Sequence, residues 1–562
     1  MRVIATGISD YKEIIEKNYC YVDKTLLIEE LLSTGDKVTL LCRPRRFGKT
    51  LNLSMLHYFF EKTPHSHAYL FTDKLIWRNE RMRAQQGNYP VIFLTFKDVK
   101  EQDFQGAYKS IVNLIIDEFK RHEITLSRIL DPDEHVKYRK IIEGSADRID
   151  YSASLLFLSR LLNKAYAHNV MVLIDEYDAP IHAAYTHGYY QEMVDFIRIL
   201  LSKVLKDNSY LERGVLTGIL RTAKEGIFSG LNNLTVCTLL NDEYADKFGF
   251  TESEVSALVH EQNIPVPTQE ITSWYNGYHA GRSTLIYNPW SILMCAKNHG
   301  ALKPYWANTS GNEVVKDLIT KASSTIKNEL LALLQHELVE KPLEEAFTFS
   351  DINWRTDTVW SLLFFSGYIT YSSRTLTSRG KLVCSLRLPN REIEELYKNF
   401  IEDIFAQSFT HSHHINEFFT ALMHGDCALV QQLLQEFVLN ATSFHDIDSA
   451  EPERSYHLFV LGMLVTLEGT YHVRSNRESG YGRYDIMLIP RDTNKPGVII
   501  EFKRAMQQTL EQAADAALEQ IHEKQYAQEL RAMGIETICS YGIAFQGREV
   551  LVKGQCVATG AN

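Results

Sequence analysis

The stretch VTLLCRPRRFGKT, residues 38–50, predicts how the first half of the chain folds. Its opening residues VTLL predict a short buried strand. RPRRFGKT then forms a compact turn, and the following LNLSMLHYFFEK has the apolar spacing of a helix. A strand, a turn ending Gly-Lys-Thr and a helix form the layout of a phosphate-binding P-loop.

The turn carries groups that suit a nucleoside triphosphate. Its backbone N–H groups and the positive end of the helix dipole point at the phosphates. We expect Lys49 to reach the β- and γ-phosphates and Thr50 to offer its hydroxyl to Mg²⁺. The predicted nucleotide-binding residues of the loop are Arg45, Arg46, Phe47, Gly48, Lys49 and Thr50.

Arg43 departs from the pattern GxxxxGK[ST], because it stands where the first glycine is expected. Spacing alone therefore leaves a second interpretation open, in which a basic turn holds a structural anion or nothing.

VMVLIDEYDAP, residues 170–180, supports the nucleotide interpretation. Its apolar run predicts a buried strand that ends at Asp175 and Glu176. An ATPase needs an acid at the carboxyl end of a strand beside the P-loop strand. We expect Asp175 to hold the Mg²⁺ shell and Glu176 to polarise the attacking water. An apolar strand ending in a solvated acidic turn is the alternative.

The rest of the first 440 residues predicts two regions. Strands at 89–96 and 214–221 alternate with helices over 100–168, which predicts a parallel α/β sheet in a domain over 1–250. Residues 251–440 predict a helical lid, with aromatic motifs WYNGYH and YNPW. Within it, a helix and two strands from residue 350 onward resemble a winged helix, which either packs the lid or reads DNA.

A second chemical centre is predicted in a domain over 441–562. SYHLFVLGMLVTL, residues 455–467, predicts a helix, and the two strands after it form a hairpin centred on Thr493. In such a hairpin, paired residue numbers sum to 986, so Asp485 lies opposite Glu501. Lys503 shares the face of Glu501, and YGIAFQGREV predicts the closing strand.

Three ionisable groups on otherwise apolar strands are costly unless they perform chemistry. We expect Asp485 and Glu501 to bind Mg²⁺, with Mn²⁺ as an alternative ion, and Lys503 to stabilise developing charge. Glu478 is a further candidate ligand. The alternative is an edge hairpin with an exposed salt bridge. Residues 474–504 carry seven basic and four acidic side chains, 7 − 4 = +3, which suits phosphates.

These motifs together resemble a family of bacterial AAA-ATPase-like proteins fused to a PD-(D/E)XK nuclease-like domain. The resemblance spans nearly the whole chain, and the family carries the same RPRRFGKT. The motifs that carry the resemblance are YVDKT, RPRRFGKT, LIDEYDAP, TGILRTAKEGIFSGLNNL, WYNGYHAG, YNPWSIL, YWANTSGN, SNRESGYGRYD and EFK.

The resemblance implies ATP as the nucleotide and a C-terminal domain of restriction-endonuclease-like α/β fold. It also implies that Thr217 senses the γ-phosphate and that Arg221 stabilises transferring charge, although Arg221 equally fits a capping or surface role. Gln520 and Tyr526 stand where related nucleases often place a Gln and a Tyr. A solvated amphipathic helix explains those two residues equally well.

The composition is that of an ordinary globular chain: 562 residues, 45% hydrophobic, 23% charged, with net charge −11. That charge argues against a uniformly basic nucleic-acid coat. Eight scattered cysteines without a CxxC pair predict reduced thiols and a cytoplasmic protein. No apolar leader or membrane-length apolar run is visible, so no membrane partner is expected.

The motifs therefore predict an ATP-binding, ATP-hydrolysing protein that controls a metal-dependent nuclease acting on DNA or RNA. One alternative is a nucleotide switch whose nuclease-like domain binds nucleic acid or protein without cutting. Another is an interaction scaffold such as an effector. The sequence leaves open whether the chain forms a homo-oligomer.

Overall fold

The fold is that of a computed structural model, which describes most of the chain. The described residues are 1–221, 227–228, 231–306, 315–316, 318–319, 322, 324–347, 356–408, 414–440, 460, 464, 467, 470–475, 478–479, 482–505, 508–547 and 549–558. Most of the helix predicted over 455–467 lies outside them.

The chain divides into two compact units, each described here by itself. The first comprises Met1–Thr309 and Glu340–Glu392, and the second comprises Ser310–Val339 and Ile393–Asn562. The predicted three-domain division, with limits at 250 and 440, stays a prediction. Within the described residues, no helix combines the length and apolarity that crossing a membrane requires.

The first unit is built on a parallel sheet with helices before and after each strand. Its elements up to the sheet's last strand are α1 (Tyr11–Glu16), α2 (Leu26–Ser33), β1 (Val38–Cys42), α3 (Lys49–Phe60), α4 (Glu80–Arg83), β2 (Val91–Thr95), α5 (Phe104–Arg121), α6 (Glu123–Leu126), α7 (Pro132–Ile142), α8 (Arg148–Tyr166), β3 (Val170–Asp175), α9 (Ala179–His187), α10 (Tyr190–Leu205), β4 (Leu211–Gly218) and β5 (Leu234–Cys237).

The order of the strands is β2-β3-β4-β1-β5, and all their pairings are parallel. The prediction of a parallel α/β sheet is confirmed. The expectation that the acidic strand lies beside the P-loop strand is wrong, because β4 lies between β3 and β1. The carboxyl ends of β1, β3 and β4 nevertheless meet at one edge, which gathers their last residues.

The remainder of the first unit contains short helices and hairpins. Its elements are α11 (Glu252–Glu261), α12 (Thr268–Tyr275), β6 (Tyr278–Ala280), β7 (Thr284–Ile286), α13 (Pro289–Lys297), β8 (Val339–Pro342), α15 (Thr356–Phe365), β9 (Thr370–Leu376) and β10 (Leu382–Arg387), while α14 (Ser324–Leu334) lies within the second unit. The predicted helix and hairpin are present as α15, β9 and β10, and β8 extends them to a sheet of order β8-β10-β9. The aromatic motifs supply buried side chains, including Tyr275, Tyr278 and Tyr287.

The second unit is built on a five-stranded mixed sheet of order β11-β14-β15-β16-β17 among the described residues. Its elements are α16 (Arg391–Ser408), α17 (His414–His424), α18 (Cys427–Asn440), β11 (Tyr471–Ser475), β12 (Glu478–Ser479), β13 (Gly482–Arg483), β14 (Ile486–Pro490), β15 (Gly497–Arg504), α19 (Leu510–Glu523), α20 (Ala527–Ala532), β16 (Thr537–Gln546) and β17 (Glu549–Ala558). The sequence analysis missed β11.

Two further expectations for this unit are wrong. YGIAFQGREV is not one closing strand, because it contains the end of β16, the turn at Gly547 and the start of β17. The cysteines, all of which lie in the described residues, are not all free. Six are free thiols, whereas Cys539 and Cys556 form a disulfide between directly paired positions of β16 and β17.

Helix α18 protects the outer strand of this sheet. Gln435 accepts the N–H of Val550 at 2.9 Å, and Gln431 accepts the N–H of Val552 at 3.1 Å. These side chains occupy backbone donors that an unpaired edge would otherwise present to another chain.

Candidate nucleotide and nuclease sites

The P-loop has the backbone that its sequence predicts. Gly48 precedes α3 with φ +83°, a conformation that favours glycine. Arg46 also has a positive φ of +66°, which is strained for a residue with a side chain. The ammonium of Lys49 donates to the carbonyls of Arg43 and Pro44 at 3.1 and 3.0 Å, so it lies over the hollow of the loop.

Arg43 does not face the phosphate position. Its buried guanidinium donates to the carbonyls of Cys42 at 2.8 Å, Cys237 at 3.0 Å and Tyr244 at 3.0 Å. It also lies over the ring of Phe248, 5.3 Å from the centroid. Burial lowers its pKa to about 10. Arg43 therefore fastens the start of the loop to the chain after β5.

Asp175 is the centre of the candidate nucleotide site. Its carboxylate is fully buried and accepts hydrogen bonds from the hydroxyls of Thr217 at 2.6 Å, Thr50 at 2.8 Å and Thr95 at 3.1 Å. Burial raises the pKa of Asp175, whereas the hydroxyls of Thr217 and Thr50 and the charge of Lys49 lower it. The structure thus brings together the ends of β2, β3 and β4 and the start of α3.

Thr95 was missed by the sequence analysis. It ends β2 at the position paired with Asp175 in the neighbouring strand. A polar residue at the end of an apolar strand was the available signal.

The other predicted residues are dispersed around this centre. The N–H of Glu176 donates to the Thr217 hydroxyl at 3.1 Å, and Glu176 has φ +48°. Exposed Arg46 lies 4.5 Å over the ring of Trp290. Phe47 is buried and meets the ring of Tyr278 edge-on. These contacts join the loop to the region after α12.

The two remaining arginines have neighbours outside the group around Asp175. Arg45 is half-buried near His182, whose pKa is lowered to about 3 by burial and then by the Arg45 charge. Arg221 forms a parallel bridge with Ala346 and partly offsets the rise in the pKa of Glu345 that burial causes. The geometry therefore gathers Lys49 and the hydroxyls around Asp175 more closely than it gathers the arginines.

The predicted register of the nuclease hairpin is confirmed. Ile486 pairs with Ile500 and Leu488 with Val498, so the paired numbers sum to 986. At the next position, where residue 485 faces residue 501, side-chain carboxylates accept backbone N–H groups instead of the carbonyl oxygens of a regular strand pair. Asp485 Oδ2 accepts the N–H of Phe502 at 2.8 Å, and Glu501 Oε2 accepts the N–H of Asp485 at 3.3 Å. Each carboxylate therefore accepts a backbone N–H of the facing strand, and that of Glu501 is buried.

Gln520 joins Glu501 to Lys503. Its amide nitrogen donates to Glu501 Oε1, and its amide oxygen accepts from Lys503 at 2.5 Å. The hydroxyl of Tyr526 lies 3.3 Å from the same amide nitrogen. Lys503 Nζ is 4.0 Å from Glu501 Oε1. The geometry favours a site role for Gln520 and Tyr526 over a solvated helix.

A close approach of α19 to the sheet places Gln520. A Cβ on Gly542 would collide with the Ala514 carbonyl and lie 2.9 Å from the Leu518 nitrogen. Gly542 is paired with Glu501 in the neighbouring strand. Only glycine lets the helix lie this near β16, the strand that pairs with β15.

The third predicted ligand of the nuclease site is placed only in part. Glu478 pairs with Arg483 in the hairpin of β12 and β13, but its side chain lies outside the described residues. Among described side chains, no group of three or more His, Cys, Asp or Glu residues is arranged to hold a metal ion. Asp485 and Glu501 are a pair of hard oxygen donors, which suits Mg²⁺ or Mn²⁺.

Comparison with known proteins agrees with this architecture. Residues 5–228 match a family model described as predicted AAA-ATPase, and residues 451–555 match the PD-(D/E)XK nuclease superfamily. A protein of Azotobacter chroococcum mcd 1, described as uncharacterized protein in vnfD 5'region, is 26% identical over 554 residues, 96% of this chain and 95% of that protein. The chain thus carries an AAA-ATPase-like domain and a PD-(D/E)XK nuclease superfamily domain, which confirms the resemblance.

Proposed function

We propose that the protein binds and hydrolyses ATP and that its C-terminal domain is a metal-dependent nuclease under the control of the nucleotide state. The observation that carries the ATPase proposal is the buried carboxylate of Asp175 surrounded by three hydroxyls beside the P-loop. The nuclease proposal rests on two acids on facing strands and a lysine that a glutamine links to one of them.

The donors at the first site fit magnesium and a triphosphate. Carboxylate and hydroxyl oxygens are the ligands that Mg²⁺ prefers, and Thr50 and Asp175 would hold the ion, directly or through water. Bound Mg²⁺ would neutralise charge on the transferring phosphoryl group. Lys49 exchanges loop carbonyls for phosphate oxygens, Thr217 fixes the orientation of Asp175, and Glu176 orients and deprotonates the attacking water.

A pair of variants tests the ATPase. Lys49→Ala should weaken ATP binding about tenfold or more, because a phosphate-facing charge is lost. Glu176→Gln should keep ATP affinity and stop turnover. Calorimetric titration and phosphate release measure the two effects. Lys62→Ala, an exposed lysine just beyond the end of α3, is the control. Unchanged affinity in the Lys49 variant would contradict the assignment.

The second site fits hydrolysis of a phosphodiester. Asp485 and Glu501 would hold Mg²⁺ or Mn²⁺, which supplies an activated water and neutralises charge. Lys503 stabilises negative charge on the phosphate. Gln520 accepts a hydrogen bond from Lys503 and donates one to Glu501. It therefore keeps the ammonium of Lys503 near the acids while preventing direct hydrogen bonding between Lys503 and Glu501.

Cleavage assays with labelled DNA and RNA test this site. Asp485→Ala or Glu501→Ala should abolish metal-dependent cleavage, whereas Lys503→Ala should reduce the rate more than the metal affinity. Asp492→Ala is the matched control, because this exposed acid lies in the turn between the same strands. If no polynucleotide is cut with either metal, with or without ATP, the non-cutting switch replaces the nuclease.

Control by nucleotide state and a cytoplasmic setting complete the proposal. Two chemical centres on one chain support coupling, and a cleavage rate that is the same with ATP, with ADP and without nucleotide would contradict it. Six of the eight cysteines are free thiols, which supports a reducing compartment, whereas the Cys539–Cys556 disulfide counts against one. Microscopy of the tagged protein in its producing cell would test the compartment.

A further inference from the structure

We infer that Asp178 is a positioning residue that holds the segment from Thr217 to Arg221 against the nucleotide site. The inference rests on the proposed ATP site and concerns an acid that the motif analysis left without a role. Asp178 follows Asp175 by three residues, immediately before α9, and only 2% of its surface is exposed.

The carboxylate of Asp178 serves the backbone that follows Thr217. Its Oδ2 atom accepts the N–H of Ile219 at 2.8 Å and the N–H of Leu220 at 3.1 Å. A buried amide left without an acceptor destabilises the folded chain. The carboxylate therefore fixes the path of the chain directly after β4.

Tyr177 closes the same turn from the other side. Its hydroxyl donates to the Leu220 carbonyl at 2.7 Å, and its N–H donates to the Thr217 carbonyl at 3.0 Å. A Cβ on Gly218 would lie 2.6 Å from the Tyr177 ring, so a larger residue does not fit. The N–H of Arg43 donates to the Gly218 carbonyl at 3.0 Å. This turn thus ties the ends of β3 and β4 to the P-loop.

The turn also connects to the phosphate chemistry. Burial raises the pKa of Asp178, and the charge of Lys49 is among the effects that lower it, so the two groups interact. Thr217, at one end of the held segment, donates to Asp175 at 2.6 Å. Arg221 is the other end. Asp178 thereby sets the spacing between Thr217, which donates to Asp175, and Arg221.

Paired substitutions test the inference on the full chain. Asp178→Ala removes the acceptor, whereas Asp178→Asn retains a neutral one. Asp23→Ala is a matched control, because Asp23 accepts the N–H groups of Thr25 at 2.9 Å and Leu75 at 2.7 Å outside the site. We expect Asp178→Ala to lower kcat for ATP about tenfold or more with Kd within about threefold. Asp178→Asn should recover most of kcat, and Asp23→Ala should lower Tm without changing kcat.

A double variant separates positioning from folding. If Asp178 acts through the segment that ends at Arg221, Asp178→Ala combined with Arg221→Ala should lose no more kcat than the worse single variant. Fully additive losses, equal loss of kcat and affinity, or no recovery in Asp178→Asn would overturn the inference. Normal hydrolysis in Asp178→Ala would overturn it and leave the ATPase proposal standing.

Hydrogen exchange provides a readout that does not require turnover. In the native chain, replacing ATP by ADP should change the amide exchange of residues 217–221, and Asp178→Ala should abolish that difference. No difference in the native chain, or an unchanged difference in the variant, would overturn the inference. A chain that binds no ATP would contradict both the inference and the proposed function.

Discussion

Arg43→Gly restores the first glycine of the usual P-loop pattern, and we expect it to damage the protein. The variant removes the donor for three buried carbonyls at 2.8–3.0 Å, which costs at least about 1 kcal/mol each. Loss of the contact with Phe248 adds about 1 kcal/mol. Since the burial cost of the guanidinium is recovered in the variant, we expect the stability of the first unit to fall by about 2–4 kcal/mol.

Thermal unfolding and ATP titration measure the effect. A loss of this size lowers the melting transition of the first unit by roughly 3–5 °C at its length. We also expect weaker ATP binding, because Lys49 is held by the carbonyl of Arg43. Arg213→Ala is the matched control: Arg213 donates to the carbonyls of Leu31 at 2.8 Å and Thr34 at 2.7 Å, at the start of β4 and away from the P-loop.

The arginine comparison has a clear contrary outcome. Arg213→Ala should lower Tm and leave ATP affinity unchanged, whereas Arg43→Gly should lower both. If Arg43→Gly melts within about 1 °C of the native chain, or binds ATP more tightly, then Arg43 is only a substituted glycine and the reasoning is refuted.

Three further predictions follow from the contacts. Gln520→Ala should slow cleavage about tenfold. Gln520→Glu keeps the acceptor for Lys503 but places a second carboxylate against Glu501, so it should slow cleavage further. A native cleavage rate in Gln520→Ala would contradict the role of Gln520 between Lys503 and Glu501. Burial raises the pKa of Glu118, but Arg121 and His122 outweigh burial and bring that pKa to about 2. Glu118→Gln should therefore be less stable than the native chain at pH 7. In acid unfolding, this difference in stability should shrink as the pH falls from about 4.5 to 2. Mass spectrometry under non-reducing conditions should find the Cys539–Cys556 disulfide and six free thiols, and eight free thiols would contradict the pairing.

The register of the nuclease hairpin could be predicted from local sequence alone. A turn centred on Thr493 between two apolar strands was sufficient to predict the pairing of β14 with β15, because a short hairpin leaves one register once the turn is known. The same arithmetic explains the disulfide that was missed. Cys539 pairs with Cys556 about the turn at Gly547, but this turn had been placed inside a single strand, so the two thiols were not seen to face each other.

The sequence by itself determined the P-loop, the acidic strand, the nuclease hairpin and the alternation of strands and helices, because periodicity, turns and motif spacing act over a few residues. Only the tertiary structure decided which distant residues serve those motifs. Arg43 bonds to Tyr244, 201 residues away, and Thr95 meets Asp175 across 80 residues. The place of β4 between β3 and β1 was decided in the same way. Such partners are chosen by the packing of strand ends and helices around a shared core, and no local pattern specifies which distant side chain will arrive there.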